Sequence, residues 1–327
     1  MKTWKFGIIG PGKIANRFAD AFQFVPRAKV TAIASRDRSK AETFAKAHQI
    51  EKIHDSYEAL AKDPEVDIIY VATPHPYHYE HAMLCLKYGK AVLCEKPLAM
   101  NLNQVKEMTA LAQSKKVFFM EGMWSRFFPV IHKALELIKS GAIGDIQFLN
   151  ADFGFPAPAN PDSRIFNLAL GGGAQLDVGV YPMFLALLVL GKPDNIKAIS
   201  QKTSTGADGS TSAIFHYPSG AVAHIFSSVM TDTPKDAYIF GTKGCLHIHG
   251  PWYKSQSMTL RMNNDEKSRF PFPHSGNGFE FQIEEVVRCL DQNLTECPLL
   301  PHSMSVLMAE TADEILRQGG VKYPGVE

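Results

Sequence analysis

From Lys5 to about Glu121 the chain alternates short β-branched or apolar runs with longer segments whose apolar residues recur at helical spacing. That alternation is the pattern of a parallel sheet covered by helices. The strand candidates are Lys5–Ile9, Lys29–Ala34, Asp67–Ala72, Ala91–Cys94 and Val117–Met120. Helical patterns fall between them at Ile14–Phe24, Ser39–His48, His78–Tyr88 and Asn103–Ser114, with Asn101 or Asn103 placed to cap the last. Such an order predicts a doubly wound α/β domain.

The texture changes after Glu121. A helix (Pro129–Ser140) and a strand (Ile146–Phe155) precede a proline-rich loop from Phe155 to Pro161. A long helix is expected over Gly173–Leu190, then strand-like runs separated by turn signals at Lys197–Thr203, Thr211–Tyr217, Ala221–Val229, Ala237–Phe240 and Cys245–His249. Phe279–Asn293 and Ser303–Gln318 are helical by apolar spacing, with Ser303 at a cap position. The expected partition is 1–122 for the first domain and 123–327 for a second, α+β domain with a large, mainly antiparallel open sheet.

Composition narrows the function classes. The chain has 327 residues, 45% of them hydrophobic, enough for two ordinary domains with substantial cores. Thirty-four basic against 33 acidic residues leave a net charge of +1, which favours neither nucleic acid nor an anionic membrane. The start, Met1-Lys2-Thr3-Trp4, runs straight into a strand pattern with no apolar leader, and the longest apolar stretch, Met183–Leu190, is less than half of the roughly 20 residues that span a bilayer. No membrane span is expected. Five scattered cysteines, an odd number without a C-x-x-C pair, are expected to be reduced, which points to the cytoplasm. Cys94, flanked by apolar residues, reads as a buried strand residue rather than a nucleophile.

Gly10-Pro11-Gly12-Lys13-Ile14-Ala15 is a G-x-G-x-x-A loop between the first strand and the first helix. Backbone amides and the helix dipole there can hold a pyrophosphate, which makes the first domain a Rossmann dinucleotide-binding domain. Where the second strand ends, an NAD site usually places an acidic residue on the ribose diol, but this chain has Ser35-Arg36-Asp37-Arg38. Ser35 removes the charge that would repel a 2′-phosphate, and Arg36 and Arg38 bring guanidinium groups suited to binding one. NADP is therefore expected over NAD. The competing reading keeps Asp37 on the ribose and allows NAD or dual use.

Cys94-Glu95-Lys96-Pro97-Leu98 ends and follows the strand at Ala91–Cys94, at the carboxyl edge of the sheet where open α/β folds bind ligands. Thr73-Pro74-His75 follows the strand at Asp67–Ala72 and is expected beside the cofactor, with His78, Glu95 and Lys96 in the same lining. His75 and His78 read as loop and cap residues; no carboxylate or cysteine accompanies them at metal-ligand spacing, and no metal is expected. Farther on, Gly171-Gly172-Gly173 enters a helix on which Asp177 and Tyr181, four residues apart, share a face.

Together the glycine loop, Glu95-Lys96-Pro97 and the Gly-Gly-Gly…Asp-x-x-x-Tyr helix resemble the glucose-fructose oxidoreductase, inositol dehydrogenase and rhizopine-catabolism (Gfo/Idh/MocA) family over nearly the whole chain. Glu121-Gly122-Met123-Trp124-Ser125-Arg126-Phe127-Phe128-Pro129, with tyrosine at 181 where many members carry histidine, looks most like the dimeric dihydrodiol dehydrogenases; glucose-fructose oxidoreductase shares that tyrosine. The resemblance implies hydride transfer between NAD(P) and a CH–OH or C=O carbon of a small diol or sugar-like substrate. By it Lys96 would hydrogen-bond the reacting oxygen, Tyr181 would be the acid/base and Asp177 would orient the hydroxyls. A nearby ammonium favours a phenolate over a neutral tyrosine, which makes those roles chemically reasonable. The family's Lys-Pro bond is commonly cis.

Trp124, Arg126, Phe155 and Arg164 are the candidates for contacts to the substrate, Trp124 and Phe155 being the better pair because they fall near domain-junction loops. Phe127, Phe166, Trp252 and Phe279 are weaker candidates. Alternation in Ala213–Tyr217 and Ala221–Phe226 leaves apolar groups on both faces of the second sheet, so a homodimer through its outer face is expected. Two other functions fit the same motifs: a sugar or inositol dehydrogenase or reductase of the family, and an NADP-binding sensor without catalysis.

Overall fold

A computed structural model describes residues 2–158 and 160–326; Ala159 of the proline-rich loop and both terminal residues lie outside the described residues. The chain forms two compact units, Met1–Trp124 with Ser275–Val306, and Ser125–His274 with Leu307–Glu327. A single cut at 122/123 leaves out the return of Ser275–Val306 to the first unit. The helix Phe279–Asp291 anchors that return: the Phe279 ring packs on Phe18 at 5.8 Å and Trp124 at 4.7 Å, and Asp291 accepts from Arg27 at 2.6 Å and the Trp4 indole at 2.9 Å. Helical spacing showed that segment to be a helix but carried no sign of its partner.

The first unit runs β1 (Trp4–Ile9), α1 (Lys13–Asp20), β2 (Ala28–Ala34), α2 (Arg38–His48), β3 (Lys52–His54), α3 (Tyr57–Lys62), β4 (Ile68–Val71), α4 (His78–Lys87), β5 (Ala91–Glu95), α5 (Leu102–Lys115) and β6 (Phe119–Gly122). Its six strands are all parallel, in the order β3-β2-β1-β4-β5-β6. β4 and β5 are buried along their whole length, as strands covered on both faces should be. The order reverses between β1 and β4, and that switch point opens a crevice at the carboxyl ends of the strands. Asn101 caps α5 by accepting from the Gln104 amide at 2.9 Å. β3 and α3, absent from the sequence expectation, are too short to show a period.

The second unit contains α6 (Pro129–Lys139), β7 (Ile146–Gly154), α7 (Val180–Leu190) and the strands β8 (Asn195–Lys202), β9 (Asp208–His216), β10 (Val222–Ser228), β11 (Ala237–Gly241), β12 (Gly244–Ile248), β13 (Ser257–Met262) and β14 (Lys267–Pro271). They form one eight-stranded sheet, β14-β13-β12-β11-β7-β10-β9-β8, in which only the β7–β10 pairing is parallel. The fold class expected from the sequence is the one observed. β13 and β14 were not foreseen: β14, Lys-Ser-Arg-Phe-Pro, is a charged edge strand, and such edges are kept polar against further pairing.

The helix expected over Gly173–Leu190 is broken in character. Gln175–Gly179 forms a π turn before α7 begins. Gly173, at φ +126°, is the reason the turn can start there, since an added Cβ would lie 2.1 Å from Asp208 Oδ1. The same carboxylate accepts from the Gln175 amide at 2.7 Å and from Thr211 at 2.8 Å. Leu168–Leu190 is long and apolar enough to cross a membrane by composition, yet its most apolar stretch is mostly buried within the fold as α7 lies on β7 and β10. The last helix begins at His302, so Ser303 is inside it and does not cap it. All five cysteines are free and buried, and burial pushes the Cys94 thiol well up, consistent with an inert strand residue.

Candidate active site

In the first unit the glycine loop joins β1 to α1. Gly10 sits at φ +93°, where a Cβ would stand 3.0 Å from the Ala72 carbonyl. Gly12 is the N-cap of α1, which has no side-chain cap and no acid in its first turn, and a Cβ on Gly12 would meet nothing within 4 Å. Unfilled space in front of uncapped amides fits a pyrophosphate. Pro11, Lys13 and Ile14 complete the loop and the first turn.

Beside it a cavity of about 280 Å³ is lined by Ser35, Arg36, Asp55, Ser56, Tyr57, Tyr77, Glu80 and His81. The Arg36 guanidinium lies 5.1 Å above the Tyr77 ring, a cation–π contact that holds it at the cavity wall. Ser35 Oγ accepts from the Asp37 amide at 3.1 Å. Asp37 serves as the cap of α2, accepting from the Lys40 amide at 3.1 Å, and that bond holds its carboxyl below the usual range. Asp37 is thus committed to its helix. Arg38 is engaged too, paired with Glu42 at 2.9 Å and with Asp55. Burial and the nearby Arg36 push His81 down to about 4.

Lys96 follows β5, and its bond to Pro97 is cis. The strap it opens is held from beneath. His78 is fully buried; its Nδ1 lies 2.8 Å from Pro97 O and its Nε2 2.7 Å from Thr73 O. Two carbonyl partners favour the imidazolium, but burial outweighs them and takes the ring down to about 4. His78 is therefore not a cap residue: Tyr77 precedes α4 without a capping bond, and His78 ties two loops together. Pro74 opens a short turn, His75–Tyr77, in which His75 is buried. Glu95, also buried, receives the Tyr70 hydroxyl, and burial raises its carboxyl. Glu121 on β6 accepts from the Leu98 amide at 3.1 Å and is pushed up to about 7, chiefly by burial. Trp124, nearly buried, is stacked on Phe279 at an interplanar angle of 12°.

In the second unit Asp177 lies in the π turn and Tyr181 in the first turn of α7, both nearly buried. Arg164 Nη2 donates to Asp177 Oδ1 at 2.8 Å. Tyr181 lies in an aromatic group with Phe153, 5.4 Å away, and Tyr253, 5.5 Å away; those two stack on each other at 4.1 Å. Phe155 is half-buried, 6.5 Å from Phe153, and packs on the cluster of Phe166, Ala174, Val178 and Val229. Arg126 is buried. Trp252 proves to be core, its indole donating to Asp152 O at 2.9 Å. Sequence reasoning missed Phe153 and Tyr253. Phe153 lay inside a recognised strand, and Tyr253, in a short turn, gave no signal.

A dinucleotide loop, a lysine at the carboxyl edge of the sheet and a polar–aromatic group on a second, open-sheeted unit define an oxidoreductase of the two-domain Rossmann class. Comparison with known proteins agrees: an oxidoreductase family model with an NAD-binding Rossmann fold matches residues 4–123, and a GFO/IDH/MocA C-terminal domain model matches 131–247. The chain belongs to the Gfo/Idh/MocA oxidoreductase family. It is 40% identical over 332 residues to the trans-1,2-dihydrobenzene-1,2-diol dehydrogenase of Xenopus tropicalis, covering 98% of this chain and 99% of that one. The Homo sapiens enzyme of that name is 35% identical, with 98% of each covered. Among solved structures, a 3-ketoreductase from Actinomadura kijaniata, in complex with NADP and TDP-benzene, superposes with a TM-score of 0.86 at 25% identity, covering 97% of this chain and 98% of that one. Levoglucosan dehydrogenase shares the fold at TM-score 0.88 and 19% identity, covering 99% of this chain and 100% of that one.

Proposed function

We propose that the chain is an NADP-dependent dehydrogenase that oxidises a CH–OH carbon of a small vicinal diol, or reduces the corresponding carbonyl. The full-length similarity to dihydrobenzenediol dehydrogenases carries this reading. The NADP preference rests on the 280 Å³ cavity, where Arg36 is aimed by Tyr77 and no free carboxylate occupies the Ser35 position. Asp37, the competing ribose ligand, is spent on capping α2.

In this reading Gly10, Pro11, Gly12, Lys13 and Ile14 hold the pyrophosphate, Ser35 and Arg36 the adenosine end, with Arg38 paired to Glu42 and Asp55 at its rim, and Thr73, Pro74, His75, Glu95 and Lys96 line the remainder of the cofactor, with His78 fully buried behind that lining. The nicotinamide, when bound, supplies or accepts the hydride. Lys96 hydrogen-bonds the reacting oxygen and Tyr181 Oη takes or returns its proton. Asp177, held by Arg164, accepts from a substrate hydroxyl. Arg126, Phe155 and Trp124 give the binding surface its apolar and cationic character.

A homodimer through the outer face of the eight-stranded sheet belongs to the same reading, supported by Ile199 and Ile214, 75% and 50% exposed on that sheet. A cytoplasmic location is supported by the five unpaired thiols. A panel of trans-dihydrodiols, aldoses and inositols, each offered with NADP and NAD and followed by nicotinamide absorbance, tests the reading. Diol oxidation with NADP is expected. Turnover confined to aldoses or inositols would move the substrate class, and binding of NADP without turnover of any compound would favour a sensor.

A further inference from the structure

The Pro97–Leu98 peptide unit, immediately after the cis bond of Lys96, is gripped at both ends by buried side chains. Its carbonyl faces His78 Nδ1 at 2.8 Å, and its amide donates to Glu121 Oε1 at 3.1 Å. The two grips come from different elements, α4 and β6, on opposite sides of β5 in the sequence of the unit. His78 is 0% and Glu121 3% exposed, so neither is a solvated surface contact. A peptide plane has one carbonyl and one amide pointing opposite ways, so fixing both removes its rotation as a unit.

We infer that His78 and Glu121 are positioning residues for Lys96: together they lock the peptide plane that follows it and so set the direction from which its amine approaches the substrate oxygen. The inference rests on the role given to Lys96 above. Burying a carboxyl costs free energy that an apolar residue would spare, and Glu121 offsets that cost with two bonds, one from the Ser305 side chain and one from the Leu98 amide of this strap. The other His78 nitrogen lies 2.7 Å from Thr73 O; the neutral ring has one N–H, so it donates to one of the two carbonyls and packs against the other, bridging the loop after β4 and the strap after β5.

Positioning has a kinetic signature separate from folding. Displacing a reacting group by about 1 Å lowers turnover by about 10- to 100-fold while leaving the binding of a ligand anchored elsewhere unchanged. The experiment measures kcat, KM for the diol, and NADP affinity by fluorescence titration in Glu121→Leu, Glu121→Gln, His78→Phe and Lys96→Met, each checked for folding by its thermal transition. Glu121→Leu and His78→Phe are expected to lose about 10- to 100-fold in kcat, with NADP affinity and diol KM little changed. Glu121→Gln, which keeps an acceptor for Leu98, is expected to retain turnover. Folded Glu121→Leu with kcat like that of Glu121→Gln, while Lys96→Met is inactive, overturns the lock and leaves the role of Lys96 standing. If Lys96→Met keeps full turnover, the role of Lys96 falls and the lock with it. Should His78→Phe fail to fold, the contrast between leucine and glutamine at 121 decides alone.

Discussion

Ser35 and Arg36 meet the ribose of the cofactor in the proposed reading, and at this scale one guanidinium would set the choice of cofactor. Arg36 faces the cavity from above Tyr77, whereas Arg38 is tied to Glu42 and Asp55. The two arginines therefore carry different weight, a distinction the tetrad Ser35-Arg36-Asp37-Arg38 could not convey. A charge-assisted contact to phosphate is worth about 1.5–3 kcal/mol. Arg36→Ala should accordingly weaken NADP by about tenfold or more while leaving NAD nearly unaffected. Arg38→Ala should change either affinity much less. Calorimetric titration of both cofactors checks this, and equal native affinities for NADP and NAD would contradict it.

At the scale of elements, the strap after β5 and the turn before α7 show where local pattern suffices and where it does not. The glycine loop, the strand before Lys96 and the Asn101 cap were legible because each depends on residues adjacent in the chain. The grips on the strap were not: His78 and Glu121 lie 19 and 23 positions from the atoms they hold, and only the fold brings them there. The π turn at Gln175–Gly179 was hidden because its cause, Asp208 under Gly173, is remote in sequence. Buried Glu121 also makes a stability prediction. Its carboxyl, ordinarily near 4.5, is raised to about 7 in the fold, so the stability it contributes is fully present below 4.5 and is lost as pH rises through 7. The loss amounts to about 3 kcal/mol at the alkaline end. Asp208, raised to about 6, tilts the native protein the same way, whereas neutral buried His78 and His81 favour the fold above 6.5. Subtraction isolates Glu121: between pH 5 and 8 the stability of Glu121→Gln relative to the native chain should rise by about 2.5 kcal/mol. Denaturant unfolding at each pH measures it, and a constant difference would show that the carboxyl is not raised.

Across the whole molecule, the second unit presents one face of its sheet to α7 and leaves the other with Ile199, Ile214 and half-buried Phe148, Phe226, Tyr238 and Phe240. A face so apolar calls for a cover, and in the proposed homodimer a second copy would supply it by twofold symmetry. Light scattering at micromolar concentration should give twice the 36.2 kDa chain mass, and Ile199→Lys with Ile214→Glu should return it to one. A native monomer would contradict the dimer. The sequence pattern had foreseen apolar groups on both sides of β9 and β10, but not the return of Ser275–Val306 to the first unit, because contacts between distant segments leave no periodic trace. Hydride exchange assisted by this chain's own acid/base is the central claim, and Tyr181→Phe bears on it most directly. The substitution keeps the ring among Phe153 and Tyr253 and removes only the hydroxyl. With a diol found in the panel, single-turnover kinetics should show the chemical step slowed by about 100-fold or more, with NADP affinity unchanged and a deuterium isotope effect from the labelled carbinol carbon retained. A chemical step as fast as that of the native enzyme would contradict the assignment of Tyr181 as the group that moves the proton.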